Sequence, residues 1–328
     1  MKILYGIQLN GNGHITRSIE IISTLKERGF EVDIITSGEN SNLDLPFEVK
    51  KHFKGFSLHY NKSGSINWLK SYLSSNSFRL FKDMNLDVSE YDLVISDFEP
   101  ISAWSANKCG VKSIGISNQC SLISNKTPMP KGGFSKRIFR FFIKYFAKCD
   151  NNIGINYERY DSFIYQPIIS NFFLKNKVSD EGFFLVYLPS ISLNFLINEM
   201  MCYRNIKFRI YSDETKVEIA YSNTIVYPID KESFQKDLLR CSGVITASGF
   251  STTSEALVLN KKLWSIPLKD QYEQLSNAES LSRMGIFTSD FNSYSLGIWV
   301  LGYNSIDYNW VNPKDDMIDK IISIYGKN

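Results

Sequence analysis

Residues 244–277, VITASGFSTTSEALVLNKKLWSIPLKDQYEQLSN, constrain the fold of this chain more than any other stretch. The apolar run Val244-Ile245-Thr246-Ala247 reads as a strand, and Ser248-Gly249 reads as the tight turn that ends it. A helix follows at once, then a second strand at Leu263–Ile266 and a polar cluster. Such a succession leaves the free N–H groups and the positive end of the helix dipole over the turn, and small residues there let a ligand reach the backbone. Ser248, Gly249, Ser251, Thr252 and Thr253 are therefore expected to hold a diphosphate.

The beginning of the chain repeats the pattern. Residues 2–9 form an apolar strand, Asn10-Gly11-Asn12-Gly13-His14 a turn, and Ile15–Arg28 an amphipathic helix with Ile19, Ile22 and Leu25 at helical spacing. A strand at Glu31–Thr36 completes a βαβ unit, the start of a doubly wound α/β domain. A dinucleotide site is disfavoured: the third fingerprint glycine is replaced by Thr16, and Ser37 and Gly38 stand where an acid is needed. What remains is a Gly-rich loop presenting His14, either as a functional group or as a cap of its own helix.

Residues 39–90 are polar, with a helix expected around Trp68–Phe81; His52 and His59 lack metal-ligand spacing and read as surface or structural. A strand at Tyr91–Ser96 delivers Asp97-Phe98-Glu99-Pro100 to the sheet edge that holds ligands in open α/β folds. Capping of a helix at Ile101–Lys108 and catalysis both remain open for the two acids, and only one is expected to face a ligand. An Asp97–His14 pair would let the carboxylate orient the imidazole, which could then take a proton from a hydroxyl.

With 328 residues, 43% hydrophobic and 22% charged, the chain is long enough for two domains. A net charge of +3 gives no reason to expect nucleic acid as a partner. Five cysteines without a CxxC pair suggest neither disulfides nor a zinc site, and a cytoplasmic location is expected. Residues 126–148 carry seven basic side chains and no acid. Lys136, Arg140, Lys144 and Lys148 form one stripe of a helix rich in aromatics. That helix either lies on an anionic membrane surface, making the protein peripheral on the inner face of the cytoplasmic membrane, or packs into the domain. A second α/β set starts at Phe183–Leu188. We therefore expect domains at 1–160 and 161–328, the last helix, 313–325, being able to pack back on the first.

The stretch Gly249–Leu257, Pro267 and Glu273–Ala278 resembles the donor motif of GT-B glycosyltransferases, near the MurG-type enzymes of glycosyltransferase family 28 and the family-1-like bacterial and archaeal group. Gly11-x-Gly13-His14-x-x-Arg17 and Ser96–Pro100 resemble the latter too. The resemblance implies two Rossmann-like domains facing a cleft, with the acceptor on the first and the nucleotide sugar on the second. It implies His14 and Asp97 as catalytic, Gly13, Arg17 and Glu99 on the acceptor side, and Ile229 at the base. Glu255 would bind the ribose, although Thr252-x-x-Glu255 is also a capping-box pattern. Glu273, Gln274 and Asn277 would bind the donor sugar.

Retaining relatives carry a second glutamate eight positions before the ribose glutamate; here that position is Ala247. An inverting transfer of a hexosyl or N-acetylhexosaminyl group from a UDP-sugar to a glycan or glycolipid acceptor is expected. No cofactor or metal is expected, since no DxD-like pair lies in the donor half. A UDP-sugar 2-epimerase on the same fold and a non-catalytic nucleotide-sugar-binding subunit are the alternatives.

Overall fold

The computed structural model describes residues 1–9, 11–38, 45–55, 83–131, 134–269 and 271–326. The helix expected around Trp68–Phe81 and the position of His59 lie outside the described residues. Two compact units emerge, the first from residues up to 170 together with 311–326, the second from 171–310.

In the first unit, β1 (Lys2–Gln8), β2 (Glu31–Ser37), β3 (Lys51–Phe53), β4 (Leu93–Asp97), β5 (Ser113–Ser117), β6 (Asn151–Ile155) and β7 (Ile164–Tyr165) pair as a parallel sheet in the order β3-β2-β1-β4-β5-β6-β7. The order reverses between β1 and β4, so their C-terminal ends border the crevice where such sheets hold ligands. Among the described residues these strands are accompanied by α1 (Asn12–Glu27), α2 (Pro100–Cys109), α3 (Asn118–Ser121) and α4 (Phe134–Phe146). Leu4, Ile35, Val94, Ile101 and Ala106 pack one face of the sheet against α2.

Two local departures from the sequence expectation matter. Helix α1 begins at Asn12, three residues before Ile15, with Gly11 as its N-cap at φ +132°. First-turn residues have no intrahelical N–H bond to lose, so the poor propensity of Asn and Gly there is no barrier. His14 consequently stands in the first helical turn. No strand was expected at β5 or β6, whose sequences SIGIS and NNIGI contain Ser, Asn and Gly. Their glycines serve close packing: a Cβ on Gly154 would come within 2.7 Å of the Ser121 backbone.

The second unit holds β8 (Phe183–Tyr187), β9 (Lys207–Ser212), β10 (Ile219–Tyr221), β11 (Thr224–Pro228), β12 (Gly243–Ala247), β13 (Lys262–Ile266) and β14 (Phe287–Thr288) in the order β10-β11-β9-β8-β12-β13-β14. Among the described residues of this unit, only β10 runs antiparallel to its neighbour. Its helices are α5 (Asn171–Lys175), α6 (Leu193–Met201), α7 (Lys231–Arg240), α8 (Phe250–Val258), α9 (Tyr272–Arg283) and α10 (Ser293–Gly302). The core is built on Phe208, Trp264 and Trp299, with Phe291 stacked on Trp264 at 5.3 Å. Truncating one such tryptophan would remove about 3–5 kcal/mol. At the edge of this unit Lys261, 5% exposed, donates its ammonium to the carbonyls of Ser179, Leu239 and Cys241 at 2.7, 2.9 and 2.7 Å.

The last helix, α11 (Lys314–Gly326), belongs to the first unit. Met317, Ile318 and Ile321 are fully buried, and Arg28 at the end of α1 binds Asp315 and Asp319. The first unit therefore runs to residue 170 rather than 160 and is completed by the chain's end.

Candidate active site

At the end of β4 the chain makes an elbow. In a continued strand Asp97 and Glu99 would share a face. Phe98 instead takes φ +52°, a left-handed conformation that disfavours a bulky side chain by about 1–2 kcal/mol, and sends the two carboxylates apart.

Glu99 becomes the N-cap of α2, accepting from the N–H groups of Ile101 and Ser102 at 2.9 and 2.6 Å and from Ser37 Oγ at 2.8 Å. It is fully buried, and burial raises its carboxyl above the usual range despite these bonds. Gly6 on β1 makes room for this cap, since a Cβ there would lie 2.1 Å from Ser102 Oγ. Glu99, expected on the acceptor side, has both its oxygens engaged in this cap.

Asp97 is fully buried at the other branch of the elbow. His14 Nδ1 lies 2.6 Å from its Oδ1. Arg17 donates Nε to Oδ2 at 3.0 Å and Nη2 to Oδ1 at 2.5 Å, and Ser18 Oγ donates to Oδ2 at 3.1 Å. Burial alone would raise the Asp97 carboxyl; the Arg17 charge and the hydrogen bonds from His14 and Arg17 outweigh it and hold the carboxyl below its usual value. An ionised carboxylate only accepts, so we assign the neutral imidazole's proton to Nδ1, leaving Nε2 as the basic nitrogen. His14 keeps 12% side-chain exposure, whereas Arg17 keeps 6%. Arg17, expected on the acceptor side, turns inward to the carboxylate. Ser18 was missed; its signal was helical spacing, because with α1 starting at Asn12, residues 14, 17 and 18 share one face. Gly13 lies beside His14 in the same first turn.

The donor candidates gather around the end of β12 and the start of α8. Gly249 is the N-cap of α8, no side chain caps that helix, and the space over Gly249 is open. Ser251 and Thr252 are half-buried in the first turn. Three expected contacts turn into the unit: Ser248 Oγ pairs with Ser265 Oγ, Thr253 Oγ1 bonds the Gly249 carbonyl, and Asn277 Nδ2 bonds the Ser248 carbonyl at 3.0 Å. Asn277 is 1% exposed and ties α9 to the turn.

Glu255 lies inside α8 rather than at N3, which removes the capping-box reading: the N-cap is Gly249, and Thr252 is itself a first-turn residue. Burial pushes the Glu255 carboxyl up to about 8, with the Lys231 charge acting the other way. Lys231, the first residue of α7, was not singled out from the sequence; it follows Ile229, which is exposed beyond β11. Glu273 and Gln274 open α9, and Gln274 Oε1 accepts from the Leu268 N–H at 3.2 Å. Among the described residues no group of three or more His, Cys, Asp or Glu side chains is gathered to hold a metal.

On α4 the expected basic stripe is broken. Arg140 donates to the Ser124 carbonyl at 2.9 Å, to the Asn125 side chain and to Met129 Sδ, and burial lowers its pKa. Lys136 is half-buried; Arg137 and Lys144 are exposed beside Ile138, Phe141 and Tyr145, Ile143 is buried, and Lys148 is exposed beyond the end of the helix. No helix among the described residues is long and apolar enough to cross a membrane.

The two α/β units are those of the GT-B glycosyltransferases, as solved structures of similar fold indicate. The spinosyn forosaminyltransferase SpnP aligns over 100% of both chains with a TM-score of 0.64 at 11% identity. Os79 from O. sativa, solved with U2F and trichothecene, aligns over 99% of this chain and 100% of its own, with a TM-score of 0.64 at 12% identity. SsfS6 from Streptomyces sp. SF2575, complexed with thymidine diphosphate, aligns over 99% of each chain with a TM-score of 0.55 at 13% identity. The family model for glycosyl transferase family 1 matches residues 1–298, and the chain belongs to that family. No curated protein sequence matches it.

Proposed function

We propose that the chain is an inverting, metal-independent enzyme that moves a hexosyl or N-acetylhexosaminyl group from a UDP-sugar to a hydroxyl acceptor. The observation that carries this reading is the 2.6 Å contact between His14 Nδ1 and the buried Asp97 carboxylate. With its proton on Nδ1, the imidazole takes the acceptor's hydroxyl proton at Nε2. The acceptor oxygen attacks the anomeric carbon, the bond to the diphosphate breaks with its electron pair going to the phosphate oxygen, and configuration inverts. Asp97 stabilises the imidazolium that forms.

On the donor side, the uncapped start of α8 meets the diphosphate charge through its N–H groups, the role a metal plays elsewhere. Glu255 accepts from the ribose hydroxyls, Ile229 borders the base, and Glu273 and Gln274 read the sugar. The thymidine diphosphate bound by SsfS6 supports a pyrimidine nucleotide. The exposed aromatic and basic residues of α4 support a lipid-linked or surface-polysaccharide precursor as acceptor, met at an anionic membrane surface.

The test is a panel of UDP-sugars with the wild-type chain and His14→Ala. Donor hydrolysis, with water replacing the acceptor, should fall about 10²- to 10⁴-fold in the variant, while the thermal shift given by UDP stays. Full turnover by His14→Ala would remove the histidine as base.

A further inference from the structure

Arg17 does more than neutralise a buried acid. Its planar fork occupies both Asp97 oxygens, at 3.0 and 2.5 Å, and the second bond ends on the oxygen that holds His14. Nη2 lies 3.1 Å from His14 Nδ1, and since both atoms carry protons this is a close approach of like polarity rather than a hydrogen bond. Ser18 adds a further donor to Oδ2.

A buried carboxylate with no other partner would draw a proton onto an imidazole at this distance and keep it, because the resulting ion pair is the best available match for its charge. Asp97 already has that match in Arg17. The other titratable groups packed around the carboxylate supply no alternative charge: burial holds the Tyr5 phenol of β1 above its usual range and pushes the Cys120 thiol of α3 up to about 11.

We propose that Arg17 is a positioning residue that saturates the Asp97 carboxylate, so that His14 is oriented by Asp97 without its proton being trapped there. This rests on the reading of His14 as the base. It adds that the base works in a three-residue cluster of α1 and β4, in which the carboxylate's charge is already balanced before the reaction begins. Arginine is required for the geometry, since lysine offers one point charge and cannot bridge both oxygens.

The experiment follows the His14 ring by ¹H–¹⁵N spectroscopy on the full-length chain, with ¹⁵N-labelled histidine. Three histidines give three signals, and His14→Ala identifies the one in question. In Arg17→Met the ring's titration midpoint is expected at higher pH than in the unsubstituted chain, by about one pH unit or more. Arg17→Gln, which is neutral but still able to donate to Asp97, should move it the same way if the methionine variant does not fold. Arg17→Lys, which keeps the charge but cannot bridge both oxygens, should restore the midpoint only in part. A midpoint in folded Arg17→Met or Arg17→Gln that is unchanged or lower overturns the proposal, because an arginine that only braced the fold would leave the ring's titration alone. The readout needs no turnover. Turnover retained in His14→Ala would therefore count against the base reading, and an unmoved midpoint against Arg17.

Discussion

Glu255 is the residue whose protonation is most exposed to test. Burial pushes its carboxyl from 4.5 up to about 8. The unfolded chain gives up this proton near the ordinary glutamate value, whereas the folded chain keeps it until about 8, so between those values the folded state binds more protons. Raising the pH through that window therefore destabilises the ligand-free protein. Thermal melts from pH 5 to 8 should show a declining midpoint, with a shallower decline in Glu255→Gln; identical slopes would rule out Glu255 as the source. If Glu255 meets the ribose as proposed, UDP should release a proton on binding below pH 8, visible in calorimetry with buffers of different ionisation heat. The residue was legible in the sequence as a candidate, but whether it closes a capping box was not. That depended on whether α8 starts at Gly249 or at Thr252, a one-turn question that local spacing leaves open. Asn277 shows the converse: its spacing fits a ligand contact, and its burial against Ser248 was invisible without the fold.

At the level of elements, α1 and β1 were readable because their apolar residues recur at the right period, while β5 was not, although all five of its residues are buried. Period and burial part company in a parallel strand covered on both faces, where serine and glycine are admitted by close packing. Helix α4 was read correctly as amphipathic, yet its charges are not equivalent. Arg140 is engaged with residues 124–129, so reversing it would disturb the fold as well as the surface. The informative substitutions are Lys144→Glu with Lys148→Glu, and Phe141→Ser, at positions that are exposed. Co-sedimentation with vesicles containing phosphatidylglycerol should fall for both sets and fall with salt; binding unaffected by either set would discard the membrane face. Each basic residue near an anionic surface contributes about 1 kcal/mol, so the double reversal should be decisive.

For the molecule as a whole, the chain's end is part of its beginning. Because α11 places Met317, Ile318 and Ile321 in the core of the first unit, truncation after Trp310 should strip that unit of three buried side chains, each worth about 2–5 kcal/mol. Hydrogen exchange at the β1 and β4 amides should then approach unprotected rates; undiminished protection would mean that α11 is dispensable. The division into two α/β units was legible from the repeated strand–turn–helix pattern, but its border was not, since β7 at Ile164–Tyr165 pairs with β6 of the first unit beyond residue 160. Lys261 has a further consequence. Its ammonium is enclosed by three carbonyls, so amine-reactive reagents that modify the surface lysines quickly meet no free amine there while the second unit is closed. The rate at which this one lysine is acylated in the native protein is therefore a clock for the opening of the second unit.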